Sequence, residues 1–406
     1  MRILHTADWH IGQTLNGWNR EVEHRAWLDE LVGVVAREEI DVLLVAGDVF
    51  DGLNPSGESQ KIFYDALARL KRVRPGLRTV ITGGNHDPAG RLEAPSTLLA
   101  ALDVHVFATL RREGEALRPE QHMVPLPGPD GVPKAWVCAI PFLRAPDLPG
   151  LSFAGGEGRA SPIVDAARRL HATMGAAARA AAGELPVIAM GHLHCHGATE
   201  SDGAERRILI GGEHALPEDV FPEAFDYVAL GHLHRPQTLA GRIRYAGSCF
   251  PLSAAEAGYD HGVSVLDIHD GGITHTHIPI ARPAQMLRFP GQGVTRLDEL
   301  EAALSDLDLD ADLEPGLRPF VYANLEATGP ASVILTEAEK LLAGYPLRVA
   351  GLRVRREAVT EDDPEEMQAL DDIDPEELFR PAFEASQGHP PGDAHIAAFR
   401  EAMTED

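Results

Sequence analysis

Five short motifs hold the side chains with which this chain could do chemistry. They are Asp8-Trp9-His10, Gly47-Asp48-Val49-Phe50-Asp51, Gly84-Asn85-His86-Asp87, Gly191-His192 and Gly231-His232-Leu233-His234. Asp, Asn and His together offer oxygen and imidazole nitrogen, the donor mixture needed by a two-ion centre that cleaves phosphoesters. Asp8 and His10, two residues apart, can converge on one ion if the chain bends between them. An acid directly after a buried strand, as Asp48 is, must be offset by a cation or by hydrogen-bond donors, or else caps a helix. Asn85 would add a neutral oxygen ligand, although Gly-Asn-His-Asp also makes a good polar turn. Each glycine-led His motif could be a surface turn if taken singly. Five such coincidences in one chain favour the metal centre.

Each motif follows a segment that reads as a β-strand. Arg2–Thr6 runs into Asp8, and the apolar run 41–46 has the length and composition of a strand buried on both faces. Residues 79–82, 186–190 and 225–230 repeat the pattern before the remaining motifs. Between them, 19–39 has helical spacing, with Val22, Ala26, Leu28, Leu31, Val32 and Val35 on one face, and 59–73 is a second helix. Ligands of α/β proteins gather beyond the carboxyl ends of strands, where all five motifs fall. After Leu230 the texture changes to short strands joined by Gly turns, at 241–247, 263–268 and 273–280. These features make the first 280 residues one α/β domain.

From about residue 281 to 359 a small α+β unit follows, with helices at 297–304 and 332–342 and strands at 320–327 and 347–356. The remaining segment, 360–406, opens with an acidic linker, 360–374. Two helices come next, 375–386 and 393–403, and they are too short to be stable unless they pack on something else.

The net charge of −26 argues against a nucleic-acid partner only at first sight. Residues 298–314 hold eight acids and 361–377 hold ten, with no Lys or Arg in either, so the chain without these eighteen acids carries only −8. Two divalent ions would offset about four more charges locally. The three cysteines, Cys138, Cys195 and Cys249, form no CxxC pair, which fits a reducing cytoplasm. No signal peptide and no apolar run of spanning length is visible, so no membrane partner is expected. Nothing resembles a P-loop, and the chain is not expected to hydrolyse ATP by itself.

The motifs resemble those of the calcineurin-like metallophosphoesterases, D-x-H, GDxxD, GNH(D/E), GH and GHxH. The likeness is closest to the SbcD-type nuclease subunits, through residues 5–12, 47–51, 226–237, 245–248 and the tail run Asp374-Pro375-Glu376-Glu377-Leu378-Phe379. It spans nearly the whole chain, weakly between 111 and 183 and across the small unit. It implies two mixed β-sheets packed as a sandwich flanked by helices, with a small α+β capping domain and C-terminal helices. It also implies that Asp8, His10, Asp48 and His234 hold one metal and that Asp48, Asn85, His192 and His232 hold the other, Asp48 bridging. His86 would protonate the departing sugar oxygen or otherwise stabilise the transition state. Asp87 would orient His86, carry its charge, or simply serve the turn.

His194, in a second Gly-His-Leu-His copy, competes with His192 and is expected to be a supporting or structural residue. Asp51 stands where archaeal relatives carry a His. An acid cannot take that part beside a phosphate anion, so Asp51 is expected only to support the ligands. The donor set, free of thiolate, suits manganese, with iron, zinc and magnesium open.

The same resemblance implies a manganese-dependent DNA exonuclease and structure-selective endonuclease serving repair, recombination and replication in the cytoplasm, associated with the nucleoid when on DNA. Its partner would be an SbcC-type coiled-coil ATPase docked on residues 375–403 through Leu378, Phe379, Phe383, Ile396 and Phe399. A homodimer within a heterotetramer is expected, formed by helices and loops between about residues 60 and 105. The alternative is a stand-alone phosphatase or phosphodiesterase of the same superfamily acting on small phosphoesters. Arg20, Arg25 and Arg235 either contact backbone phosphates or lie on solvated faces and in ion pairs. The cluster Arg348, Arg353, Arg355 and Arg356 is a further candidate for phosphate contact.

Overall fold

The computed structural model describes residues 1–114, 116–148, 161–201, 215–270 and 272–355, together with 383, 391, 392, 395 and 396. The chain divides into a compact unit over residues 1–356 and a second over 357–406. Two six-stranded mixed sheets make up most of the first unit. The first contains β1 (Arg2–Thr6), β2 (Val42–Ala46), β3 (Arg78–Thr82), β4 (Val104–Phe107), β11 (Gly262–His269) and β12 (Gly272–Pro279), in the order β12-β11-β1-β2-β3-β4. The second contains β5 (Met123–Pro127), β6 (Pro133–Ala139), β7 (Val187–His192), β8 (Tyr227–Gly231), β9 (Gln237–Leu239) and β10 (Ile243–Tyr245), in the order β9-β10-β8-β7-β6-β5.

The two sheets bury a shared core. Ile3, Val42, Leu44 and Val80 of the first face Val137, Ile188, Met190 and Ala229 of the second. Helices α1 (Glu21–Arg37) and α2 (Gly57–Val73) cover the outer face of the first sheet, with Trp27, Leu31, Phe63 and Leu67 in the contact. Helix α3 (Pro162–Ala182) covers the second sheet with Ala166, Leu170 and Met174. β2, sealed between helices and the other sheet, is buried at every residue, which explains its unbroken apolar run. Alternating crossovers keep β1 to β4 parallel, and likewise β6, β7, β8 and β10. All five motif-bearing strands therefore end on the same side of the sandwich.

A third, parallel sheet, β13 (Met286–Phe289), β14 (Phe320–Glu326) and β15 (Arg348–Arg355), lies beyond the sandwich. Its own core forms against α4 (Leu297–Ser305) and α5 (Ala331–Leu342), through Leu300, Val321, Leu325, Ile334 and Leu342. The two helices and the strands β14 and β15 match the sequence expectation, whereas β13 had given no sequence signal.

This layer meets the sandwich at a buried ion-pair cluster. Glu23 of α1 accepts hydrogen bonds from Arg20 at 2.7 and 3.1 Å and from Arg348 of β15 at 2.8 Å. Phe320 lies beneath both guanidinium groups, 3.7 Å from that of Arg348 and 5.4 Å from that of Arg20. Arg20 and Arg348 are 1% and 2% exposed, so neither can meet a phosphate: of the roles the sequence left open for Arg20 the ion pair is the one found, and Arg348 leaves the candidate phosphate cluster. An arginine at a helix start reads as solvent-facing until a partner covers it. Arg25 pairs with Glu58, while Arg353 and Arg355 are exposed.

Among the described residues, no helix is long and apolar enough to cross a membrane. In the second unit the rings of Phe383 and His395 lie 4.7 Å apart. The acidic linker, Arg356, Leu378, Phe379, Phe399 and most of the expected tail helices fall outside the described residues.

Candidate metal centre

The loops after β1, β2, β3, β7 and β8 bring the predicted ligands together, and backbone hydrogen bonds between loops fix their spacing. Asp8 N–H donates to Gly47 O at 3.1 Å and His10 N–H to Asp48 O at 3.0 Å. The backbone N–H of His232 donates to both carboxylate oxygens of Asp8, at 2.9 and 3.1 Å, tying the two sheets together. The glycines preceding the ligands allow this closeness. A Cβ on Gly84 would collide with Asp48, and one on Gly231 with the carbonyl of Ala46.

Among the described residues, eight other than glycine have positive φ, and four of them are predicted ligands: Asp8 (51°), His10 (46°), Asp48 (49°) and His232 (99°). Each such residue costs about 1–3 kcal/mol, and strain of this kind gathers where function over-determines the backbone. The bend expected between Asp8 and His10 is thus a pair of left-handed residues around Trp9. That ring is buried against Trp27 and donates to Thr6 Oγ1 at 3.0 Å.

Ligand atoms of Asp8, His10 and His234 converge within 4.8 Å of one another, and so do those of Asp8, Asp48 and His192. Asp48 Oδ2 lies 3.5 Å from His10 Nε2 and 3.3 Å from His192 Nε2, between the two groups. Asn85 Oδ1 is 2.9 Å from His192 Nε2. His232 is adjacent, with its ring 5.4 Å from that of His192, but neither convergent group includes it. Asp8 approaches the second group more closely than the sequence reading had it.

The other ring nitrogens decide which atoms face the centre. Nδ1 of His192 lies 2.9 Å from Ala46 O and Nδ1 of His86 lies 2.7 Å from Asp51 O. Carbonyls only accept, so both nitrogens carry protons and Nε2 of each ring is directed inward. Carboxylates do the same for the other sheet edge: Asp51 holds His10 Nδ1 at 3.1 Å and Glu256 holds His234 Nδ1 at 2.9 Å. Such carboxylate–imidazole pairs orient metal-binding histidines and raise their basicity. His10 Nε2 is buried with no hydrogen-bond partner at all, as expected of a nitrogen whose partner is a cation.

Charge in the pocket is unbalanced. Burial pushes the Asp8 carboxyl up to about 7, with Asp48 adding and His192 and His234 opposing. Burial lowers His192, but Asp48 and Asp8 outweigh it and hold the imidazole up to about 9. Burial also lowers His10 and His232. Two carboxylates and several imidazoles packed this tightly fit divalent cations, which would compensate the acids and use the free nitrogens.

The supporting residues separate by contact. Asp87 accepts backbone N–H groups from Gly84 (2.8 Å), Phe50 (2.9 Å) and Val49 (3.2 Å), bracing the second and third motifs together. Those bonds give it the turn-serving part, and burial holds its carboxyl up to about 6. His86 N–H donates to Asp48 Oδ1 at 2.8 Å, and its ring lies edge-on to His10 at 4.7 Å, so it also falls within a ligand-like group with His10 and Asp48. His194 faces Glu200 at 3.0 Å, apart from both convergent groups. Arg235, next to His234, lies over the ring of Tyr259.

Glu256 was missed by the sequence reading. Its one local signal is Ser253-Ala-Ala-Glu256, which reads as an ordinary helix start. None of the three buried cysteines belongs to a convergent group.

Comparison with known proteins gives the same outline. The calcineurin-like phosphoesterase family model matches residues 1–236, and a model described as the type 5 capsule protein repressor C-terminal domain matches 282–387. A protein of Rhodobacter capsulatus, named as the D subunit of the SbcCD nuclease, is 53% identical over 94% of each chain. Proteins of that name from Escherichia coli K12 and Bacillus subtilis are 33% and 34% identical. The first alignment covers 88% of this chain and 86% of the relative, the second 67% of each.

Proposed function

The chain belongs to the calcineurin-like phosphoesterases and, within them, to the D subunits of SbcCD nucleases, and on that premise we propose that it hydrolyses DNA phosphodiesters with two divalent ions. The observation that carries this reading is the strand-end cluster of strained, buried acids and inward-facing imidazole nitrogens, one of them without a partner. Asp8, His10, Asp48 and His234 hold one ion. Asp48, Asn85, His192 and His232 hold the other, with Asp48 shared. When bound, such a pair supplies an activated nucleophile and offsets charge on the phosphoryl group. Nitrogen and oxygen donors without thiolate favour manganese, tested by restoring activity to chelated protein with manganese, magnesium, zinc and iron in turn.

His86 is poised to act on the leaving group. Its Nδ1–H is tied to the Asp51 carbonyl, and Nε2, when protonated, faces the centre to give its proton to the departing sugar oxygen. Asp51 and Glu256 orient the ligand rings, and Asp87 braces the loops. His86→Gln is expected to lower cleavage of linear duplex DNA by about 10²–10⁴-fold while leaving metal binding intact. Undiminished cleavage would remove His86 from the chemistry.

The full activity comprises double-strand exonuclease and structure-selective endonuclease cleavage, in complex with an SbcC-type ATPase docked on residues 375–403. Relatives named as nuclease subunits favour this over a stand-alone phosphoesterase. Truncation after residue 374 is the test: it should abolish co-purification of that ATPase and leave metal-dependent hydrolysis. A homodimer through residues 60–105 belongs to the same reading, and Leu98, 77% exposed on that stretch, supports it.

A further inference from the structure

Three arginines are buried among the described residues, and their surroundings differ. Arg20 and Arg348 share the carboxylate of Glu23. Arg244, 8% exposed on β10, has no carboxylate within ion-pair distance among the described residues. Its guanidinium donates to Ser264 Oγ at 3.1 Å, to Thr238 Oγ1 at 3.2 Å and to His277 Nδ1 at 3.4 Å, all neutral acceptors. A buried cation without a counter-charge is costly, and neutral acceptors offset only part of that cost.

Arg244 lies at the back of a surface pocket of about 560 Å³, and Arg235 and Tyr259 line the same pocket. Arg235 is exposed and follows His234 directly. Among the described residues its guanidinium has no acidic partner and lies 5.6 Å from the centre of the Tyr259 ring. The one acid of the lining, Asp260, is 79% exposed and faces His277 Nε2 at 3.7 Å rather than either guanidinium. The pocket is in register with the metal centre, because a single short segment serves both. Glu256 of that segment holds His234, and Tyr259, three residues later, holds Arg235.

We propose that Arg244 and Arg235, with Tyr259 supporting Arg235, form a subsite for a backbone phosphate of the DNA strand beyond the scissile bond. Two guanidinium groups without acids, one deep and one at the rim, give a single anion parallel donors and supply the counter-charge that Arg244 lacks. A phosphodiester fits because the neighbouring ligand, His234, fixes where the strand is cut. This subsite rests on the nuclease reading, and its test separates the two.

Cleavage of linear duplex DNA by the full-length chain with manganese is measured over a range of salt concentrations. Arg235→Gln and Arg244→Gln should each raise KM about five- to tenfold and reduce the slope of log kcat/KM against log salt by about one, as loss of one phosphate contact requires. Arg37→Gln, at the far end of α1 and paired with Glu30, should change neither. Wild-type KM and slope in both variants would overturn the subsite, and so would a raised KM with an unchanged slope, which would mark a packing effect. If Arg244→Gln does not fold, Arg235→Gln decides by the same two readings. Failure of the wild-type chain to cleave duplex DNA or a nitrophenyl phosphodiester with manganese would instead overturn the nuclease reading itself.

Discussion

Two of the places where charge is buried among the described residues solve the problem differently. At the junction of the sandwich and the third sheet, Glu23 is shared by Arg20 and Arg348 over the ring of Phe320. One carboxylate answers two guanidinium groups there, the face of the Phe320 ring takes part of the remaining positive charge although Arg348 Nη2 has no hydrogen-bond partner, and none of these four residues has a positive φ. At the strand ends, Asp8 and Asp48 crowd together with His10, His192 and His234, the backbone turns left-handed at four ligands, and His10 Nε2 has no partner. Burial of charge alone therefore does not mark a functional site. What marks it is acid and imidazole ligand atoms converging on common points from a left-handed backbone.

The sharpest way to break this comparison is at the junction. Glu23→Gln leaves two buried guanidinium groups without a carboxylate and should cost about 3–5 kcal/mol of stability, read by chemical denaturation, with manganese affinity unchanged. If that variant lost metal instead, the junction would not be a purely structural device. A smaller effect of opposite kind is expected at Glu256. Glu256→Gln keeps the shape but weakens the hold on His234, and should lower manganese affinity about 10–100-fold. An affinity equal to wild type would show that the His234 ring is positioned without it.

The smallest effect is a pH dependence. Asp8, held at about 7, and His192, held at about 9, both bind protons more tightly in the folded chain than in the unfolded one. Stability from Asp8 is complete below the ordinary carboxylate range and is lost as pH rises through about 7. That from His192 is complete below the ordinary imidazole range and is lost as pH rises through about 9. Histidines that burial lowers elsewhere in the chain act oppositely and alike in both forms, so the reading is a difference: the Tm gain on loading manganese should grow by a few degrees between about pH 6 and pH 9. The gain grows because the cation takes the place of protons that Asp8 and His192 hold in the chelated form. Parallel curves for the two forms would contradict a cation at these groups.

The candidate ligands were legible in sequence because each follows a strand, with an unbroken apolar run at 42–46, 187–190 and 227–230, and a polar residue after such a run has few structural reasons to exist. Their supports were less so. For Asp87 the sequence left open a partner for His86 or a turn acid, and only the fold shows its three bonds going to backbone groups of two loops, one of them 37 residues away in sequence. Glu256 reaches His234 across 22 residues with no pattern to announce it. The sequence left Arg20 between phosphate contact and ion pair, and kept Arg348 as a phosphate candidate, because Glu23, which pairs with both, lies 325 residues from Arg348. In the fold, β5 and β6 escaped notice because Pro125, Pro127 and Pro133 interrupt their alternation, which suits strands at or next to a sheet edge. β13 has only four residues, too few for a period to show.

The central claim is that the surplus of acid and imidazole at the strand ends is one site for two ions joined by Asp48. Titration of the chelated, full-length chain with manganese, in wild type and in Asp48→Asn, tests it most directly. The account predicts two ions per wild-type chain and loss of tight binding at both positions in the variant, because the shared carboxylate serves both. Two ions still bound tightly by Asp48→Asn, or fewer than two by the wild type, would contradict it.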